Sequence, residues 1–449
     1  MELAGRKVLV VGLGASGAAA ARLALARGAR VVATDLTPQP PGAQAAAAAG
    51  AELHLGGHRP EDFAAAELVV LSPGVDSRLP EVAAARRAGA EVIGELELAF
   101  RFLEAPAVMI TGTNGKSTVT TLVGRMLAAA GQRVFVGGNL GTPLAELVLG
   151  GPAVDWAVLE VSSFQTDTAA TLRPRVGVCL NISPDHLDRY SGLAEYADSK
   201  MRLFANQGPE DVAVLCLDDP EVASRREACP GRVWGYAAGG PVEPGGWLDE
   251  GGLMLSLPGG SVELSLAHSR LQGRFNRLNQ LAAALAASAA GAGPQAIQSA
   301  LEGFAGLPHR LQLVAEAEGV AWFDDSKGTN VGAVAAALEA LERPVVLLLG
   351  GRDKEGRFAE LKPQLEAWVK AAVCFGEAGP SVHRQVSPFV MSRVAPDLAA
   401  AVAQARALVR PGEAVLLSPG CASFDAYPGY AARGEHFQRL VSGGEGGPP

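Results

Sequence analysis

Long apolar runs are missing from this chain, and so are paired cysteines and any excess of positive charge. The longest stretch without a charged residue, residues 278–301, is interrupted by Gly291-Ala292-Gly293-Pro294 and carries Asn, Gln and Ser. It reads as two packed helices, not as a membrane span. Only five cysteines are present (Cys179, Cys216, Cys229, Cys374 and Cys421), and none sits in a Cys-x-x-Cys pair. An odd, scattered set argues against a disulfide framework or a cysteine zinc site and reads as reduced thiols in a cytoplasmic protein. With 38 basic against 47 acidic residues, the net charge is −9. That balance argues against nucleic acid as the main partner, while a few local donors suffice for a small anionic substrate. The opening Met1–Lys7 runs directly into a strand with no apolar leader, so neither export nor a membrane partner is expected.

What is abundant is apolar material, 48% of 449 residues, enough for two to four domains at about 150 residues each. Short apolar runs alternate with helical patterns. Strands are expected at 8–12, 30–35 and 68–72, then at 107–111, 133–136, 156–161, 176–181 and 212–217. The turn-rich stretch 231–258 suggests hairpins, and Ala-rich helices follow to about Gly306. A last series of strands is expected at 320–324, 344–349, 371–375 and 414–418. This rhythm implies parallel sheets with helical crossovers. The expected fold is α/β with three domains: a Rossmann-like N-terminal domain (1–95), a P-loop mononucleotide-binding central domain (96–306) and a Rossmann-like C-terminal domain (307–449). In such sheets ligands collect at the carboxyl ends of strands.

Thr111-Gly112-Thr113-Asn114-Gly115-Lys116-Ser117-Thr118 lies between a strand and a helix. Glycines let backbone N–H groups converge on phosphate oxygens, and the helix N-terminus adds partial positive charge. Lys116 can reach the β- and γ-phosphates, and the Ser117 hydroxyl can bind Mg²⁺. A strict P-loop has glycine where Ile110 stands, so this is a shortened variant. Glu160 ends the strand Trp156-Ala157-Val158-Leu159-Glu160, where an acid can hold the nucleotide's Mg²⁺. In Asn181-Ile182-Ser183-Pro184-Asp185-His186-Leu187-Asp188 a histidine lies between acids. It is either a metal ligand or a structural histidine oriented by its neighbours.

Gly12-Leu13-Gly14-Ala15-Ser16-Gly17, followed by Asp35, fits the dinucleotide fingerprint. Any nucleoside diphosphate, including a UDP-sugar, would satisfy it, and so would a tight turn that only packs helix on strand. Ser72-Pro73-Gly74 could line the same crevice. Lys200, on the amphipathic segment 195–204, reads by itself as a surface lysine. In the last third, Asp324–Asn330, Gly350–Lys354 and Ser418–Asp425 each follow a strand. Each alone is a solvated turn; together they favour a face for an anionic ligand.

Taken together, residues 111–118, Glu160 with Ser162-Ser163-Phe164-Gln165, Asn181 through His186, and Tyr196-x-x-x-Lys200 resemble the central-domain pattern of the Mur ligase family of peptidoglycan synthesis. Asn276 and Asn279 resemble its adenine-side helix, and His309-Arg310 its entry to the third domain. Residues 325–330 and 418–423 look like those of the members that add D-glutamate to UDP-N-acetylmuramoyl-L-alanine.

The resemblance implies an ATP-dependent, amide-forming ligase working through an acyl phosphate, with two Mg²⁺ sites, acting as a monomer. It implies that Gly14, Ala15, Ser16, Asp35, Ser72, Gly74 and Asn139 hold the UDP-sugar. ATP would meet Gly112, Thr113, Asn114, Gly115, Lys116, Ser117 and Thr118, with Asn276, Asn279, Arg310 and Asp325 on the adenosine. Ser117, Glu160, His186 and an N-carboxylated Lys200 would serve the metals, and Lys116, His186 and Lys200 would be catalytic. Lys327, Thr329, Lys354, Ser423, Phe424 and Tyr430 would surround D-glutamate or the reacting groups. The competing readings are a Mur-type ligase for another amino acid and an NAD-dependent oxidoreductase using Gly12–Gly17, which leaves the P-loop without a task.

Overall fold

A computed structural model describes residues 1–186, 189–271, 273–341, 343–353 and 356–443. The chain packs into two units. The first comprises Met1–Ile182, Gly192–Ala267 and Asn279–Leu301; the second comprises Ser183–Ser191, His268–Leu278 and the chain from Glu302 onward.

The first unit contains two sheets. Strands β1 (Lys7–Val11), β2 (Arg30–Asp35), β3 (Glu52–Leu55), β4 (Leu68–Leu71) and β5 (Glu91–Gly94) form a parallel sheet in the order β3-β2-β1-β4-β5. Every residue of β4 is buried, as expected of a parallel strand covered by helices on both faces. On one face Leu9, Val11, Val69 and Leu71 pack with Phe63, Val82 and Ala85.

The second sheet has nine strands: β6 (Ala107–Thr111), β7 (Val134–Gly138), β8 (Trp156–Glu160), β9 (Val176–Cys179), β10 (Val212–Cys216), β11 (Arg232–Ala237), β12 (Gly245–Leu248), β13 (Gly252–Leu257) and β14 (Gly260–Ser265). Their order is β14-β13-β12-β11-β10-β9-β6-β8-β7. The hairpins expected over 231–258 begin later: β11 still pairs parallel with β10 and β12, and only β12, β13 and β14 form an antiparallel meander.

A polar seam joins these two sheets. Glu95 and Glu97 lie on the helix Glu95–Phe100 and are 1% and 0% exposed. Glu97 accepts N–H bonds from Ala170 and Thr171 at 3.0 Å and the Thr171 hydroxyl at 2.7 Å, and it pairs with Arg101 at 2.7 Å. Glu95 Oε1 accepts the Ala145 N–H at 2.9 Å, while its Oε2 is buried without a partner. Arg22 reaches Glu146 at 2.7 Å. Fully satisfied buried carboxylates of the Glu97 kind specify one docking geometry.

The second unit carries a six-stranded sheet: β15 (Gln312–Ala317), β16 (Val320–Asp324), β17 (Val345–Gly350), β18 (Val369–Phe375), β19 (Ser392–Ala395) and β20 (Ala414–Gly420). The order is β15-β16-β20-β17-β18-β19, parallel except for the β15–β16 pair. Alternation along β17 divides its side chains between two cores: Val345, Leu347 and Leu349 on one face, Val346 and Leu348 on the other.

Candidate active site

The P-loop leaves β6 and enters the helix Lys116–Ala129, whose N-cap is Gly115. Gly115 has φ 88°, a left-handed conformation that disfavours a side chain. A Cβ there would also run into the Asn279 amide. Gly115 offers no side-chain cap to this helix, and a helix N-terminus favours an anion.

Two cations converge on the loop. Lys116 Nζ donates to Gly112 O at 2.8 Å and Thr113 O at 2.7 Å, and Lys200 Nζ donates to Gly112 O at 2.9 Å. The reading of Lys200 as a surface lysine is therefore corrected: it is 1% exposed. Its helix, Leu193–Met201, packs on the helix Ser163–Asp167, and the ammonium lies 4.4 Å from the centre of the Tyr196 ring. Aromatic and carbonyl contacts make burial of that charge tolerable.

Ser117 Oγ donates to Glu160 Oε2, and both residues are 4% exposed. Two hard oxygen donors of this kind fit Mg²⁺. Among the described residues, no group of three or more His, Cys, Asp or Glu could hold a metal, so a histidine- or cysteine-rich site is absent there. Asn139 Nδ2 donates to Glu160 Oε1 at 2.8 Å. The structure thus places Asn139 beside the metal-binding candidate. Asn279, one helical turn from Asn276 on Arg274–Ala289, is 3% exposed and lies against Gly115, with its Nδ2 unpartnered.

In the first sheet, the loop after β1 is held from both sides. Asp35 Oδ2 accepts the Leu13 N–H at 2.6 Å, and Ser72 Oγ donates to Gly12 O at 2.8 Å. Gly17 must be glycine because a Cβ would fall on Gly12 O and within 2.7 Å of Ser72 Oγ. Gly14 and Gly74 instead face open space, and Ala15 and Gly74 are exposed. The helix Ala15–Ala26, with Gly14 as N-cap, has no side-chain cap. The loop is therefore both a packing device and an open helix end suited to a diphosphate, with Ser16 in its first turn.

In the second unit, Lys327 Nζ lies 4.0 Å from the centre of the Tyr430 ring. Ser418 Oγ donates to Asp325 Oδ2 at 2.7 Å, and the Leu311 N–H to Asp325 Oδ1 at 3.1 Å. Burial pushes the Asp325 carboxyl up to about 7 against the opposing pull of Ser418, the Leu311 N–H and Arg310. Arg310 sits between His309 and Leu311, whose φ values of 60° and 47° are unusual for non-glycine residues. His186 has φ 55°, and its neighbour Asp185 accepts from Asn330 Nδ2 at 3.1 Å. Ser423 is buried, Thr329 half-buried and Phe424 63% exposed. Lys354, with Leu187 and Asp188 of the histidine motif, lies outside the described residues.

Sequence reasoning missed Arg433, which is fully buried. It donates to Ser326 O at 2.8 Å, Cys421 O at 3.1 Å, Ala422 O at 3.2 Å and Ser326 Oγ at 3.0 Å. It thereby ties the loops after β16 and β20 together. Cys421 in one of those loops is itself buried, and burial raises its thiol far above the usual range, so it is no nucleophile.

A P-loop on a parallel sheet, a buried lysine and carboxylate beside it, and two further α/β sheets with ligand-ready loops define a nucleotide-dependent enzyme of the three-domain ligase type. Family models agree throughout: "Mur ligase MurD-like, N-terminal domain" matches residues 6–94, "Mur ligase middle domain" residues 110–287, and "Mur ligase, glutamate ligase domain" residues 309–421. The chain belongs to the Mur ligase family.

Among its relatives is a UDP-N-acetylmuramoylalanine–D-glutamate ligase from Anaeromyxobacter dehalogenans (strain 2CP-C), 46% identical, with 98% of each chain covered. The protein of the same name from Geobacter metallireducens is 43% identical, again with 98% of each covered. Among solved structures, the MurF ligase of Thermotoga maritima in complex with ADP superposes with a TM-score of 0.61 at 19% identity, covering 84% of this chain and 96% of that one. Among the described residues no helix is long and apolar enough to cross a membrane.

Proposed function

We propose that this protein is an ATP-dependent ligase that joins D-glutamate to UDP-N-acetylmuramoyl-L-alanine, a step of peptidoglycan precursor synthesis, as a monomer in the cytoplasm. The observation that carries the chemistry is the convergence of Lys116 and Lys200 on the P-loop carbonyls beside the Ser117–Glu160 pair. The relatives' shared name carries the choice of substrates.

The L-alanyl carboxylate attacks the γ-phosphate of ATP, breaking the γ-phosphate bond to ADP and forming an acyl phosphate. Two anions must approach, and Lys116 lowers that repulsion. The D-glutamate amine then attacks the acyl carbon, loses a proton and expels phosphate. Ser117 and Glu160 would hold Mg²⁺, which neutralises phosphate charge when bound. His186 and a carboxylated Lys200 would serve a second ion. That carboxylation requires the Lys200 ammonium to give up one proton and then joins the neutral amine to CO₂ with loss of a second; the product adds two oxygen acceptors and keeps one Nζ–H, which can still donate to Gly112 O.

Gly14, Ala15, Ser16, Asp35, Ser72 and Gly74 take the UDP-sugar, with Asn139 at its reactive end near Glu160. Asn276, Asn279, Arg310 and Asp325 take adenosine, and Lys327, Thr329, Lys354, Ser423, Phe424 and Tyr430 take D-glutamate. The domains are assigned as 1–95, 96–306 and 307–449.

The test is phosphate release with ATP and UDP-N-acetylmuramoyl-L-alanine, scanned over amino acids of both chiralities. Turnover is expected with D-glutamate alone and is expected to fall by about 10²–10³-fold or more in Lys116→Ala. Turnover with an L-amino acid instead, or full activity of Lys116→Ala, overturns the reading. Lys200→Ala should lose activity and regain part of it when a short-chain carboxylic acid is added; a fully active Lys200→Ala rejects the carbamate.

A further inference from the structure

Asn181 directly follows the strand β9 and its flanking residue Leu180, and it makes three hydrogen bonds to the P-loop. Its carbonyl O accepts the Thr113 N–H at 2.8 Å. Its side-chain Oδ1 accepts the Asn114 N–H at 2.8 Å, and its Nδ2 donates to Asn114 O at 3.0 Å. The pairing settles which way the amide faces, because only the oxygen can meet an N–H and only the nitrogen a carbonyl.

This two-pronged grip fixes two consecutive peptide planes. In a trans peptide the C=O and N–H point in opposite directions. With the Asn114 N–H turned to Asn181, Thr113 O must face away from it, and that oxygen is the one Lys116 Nζ meets at 2.7 Å. With Asn114 O also turned to Asn181, the Gly115 N–H must face away from it too, at the residue that caps the helix Lys116–Ala129.

We propose that Asn181 is a positioning residue for ATP: through the Asn114 peptide it aims the Gly115 N–H and seats Lys116 for the triphosphate. The inference rests on the reading of this loop as the ATP site and adds to it a residue that acts through the loop's main chain. Without the side chain, both planes can rotate, and donors aimed at the phosphates lose their fixed direction. Preorganised donors are worth more than mobile ones because they need no reordering when charge develops.

The experiment compares wild type, Asn181→Ala and Asn181→Asp. Asn181→Asp keeps the size and the acceptor for Asn114 N–H but sets a carboxylate against Asn114 O. Each is assayed for KM of ATP, kcat, KM of the amino acid, and inhibition by inorganic tripolyphosphate, per folded molecule as judged by thermal midpoint and circular dichroism. KM for ATP and the tripolyphosphate inhibition constant are expected to rise together, by about tenfold or more in Asn181→Ala and less in Asn181→Asp, with KM of the amino acid unchanged. A role confined to folding would lower the midpoint and leave both constants alone; that result overturns the proposal. If Asn181→Ala does not fold, Asn181→Asp decides by the same constants. A wild type that neither hydrolyses ATP with its substrates nor is inhibited by tripolyphosphate overturns the ATP-site reading, and this inference with it.

Discussion

Arg433 shows how much main chain a single side chain can hold. Carbonyls of Ser326, Cys421 and Ala422 depend on it, as does the Ser326 hydroxyl. Burial lowers its pKa to about 10, so the guanidinium stays charged at neutral pH. Lysine offers a point donor where a planar fork is needed. Arg433→Lys is therefore expected to cost about 3–5 kcal/mol in denaturant unfolding, with loss of the loops that carry Lys327 and Ser423. A loss below about 0.5 kcal/mol, the range of ordinary surface changes, would show that those carbonyls find other partners. Nothing in the sequence announced this residue. It sits in the amphipathic helix Tyr430–Val441, where an arginine reads as solvated. Lys200 deceived in the same way, because spacing on a helix does not reveal what the helix packs against.

Among the elements, the central strands were legible and several edge strands were not. Strands at 7–11, 68–71, 107–111 and 345–350 are buried almost throughout, and their apolar runs stand out. The strands absent from the sequence reading include β3, β5, β15 and β19, and each is an edge of its sheet. Glu52-Leu53-His54-Leu55 and Ser392-Arg393-Val394-Ala395 are short and polar, as edges that resist further pairing should be. The glycine-rich loops after β1 and β6 were legible for the opposite reason: few residue types can make those turns.

The loop after β1 yields a paired test. Gly17→Ala meets Gly12 O and Ser72 Oγ and should lose about 1–3 kcal/mol of stability. Gly14→Ala has open space and should change stability by about 1 kcal/mol or less. If the diphosphate sits on this helix end, Gly14→Ala should still raise KM for the UDP-sugar by about tenfold, because a methyl group fills the path to the backbone. An unchanged KM would return the loop to a packing role.

At the scale of the molecule, pH acts through the seam between the first two sheets. Burial raises the Glu95 carboxyl from 4.5 to about 7, the nearby Glu146 adds to the rise, and the Ala145 N–H opposes it. Between those values the folded chain holds a proton that the unfolded chain has released. Stability from this group should therefore fall as pH rises from about 4.5 to about 7 and level off above. Asp325, also raised to about 7, acts in the same direction, so the informative quantity is the difference between wild type and Glu95→Gln. That difference should shift in favour of the variant as pH climbs through the window and be flat above it. A difference independent of pH in chemical denaturation would show that Glu95 ionises freely in the folded chain.

The neighbouring carboxylate of Glu97 acts without such a toll, because each of its oxygens is met by the Thr171 main chain and by further donors. A mortise of this kind makes the loop after β1 and the P-loop parts of one platform. If the first carries the acid and the second the triphosphate, as proposed above, the spacing between them is a built dimension, cut into the protein before either ligand arrives.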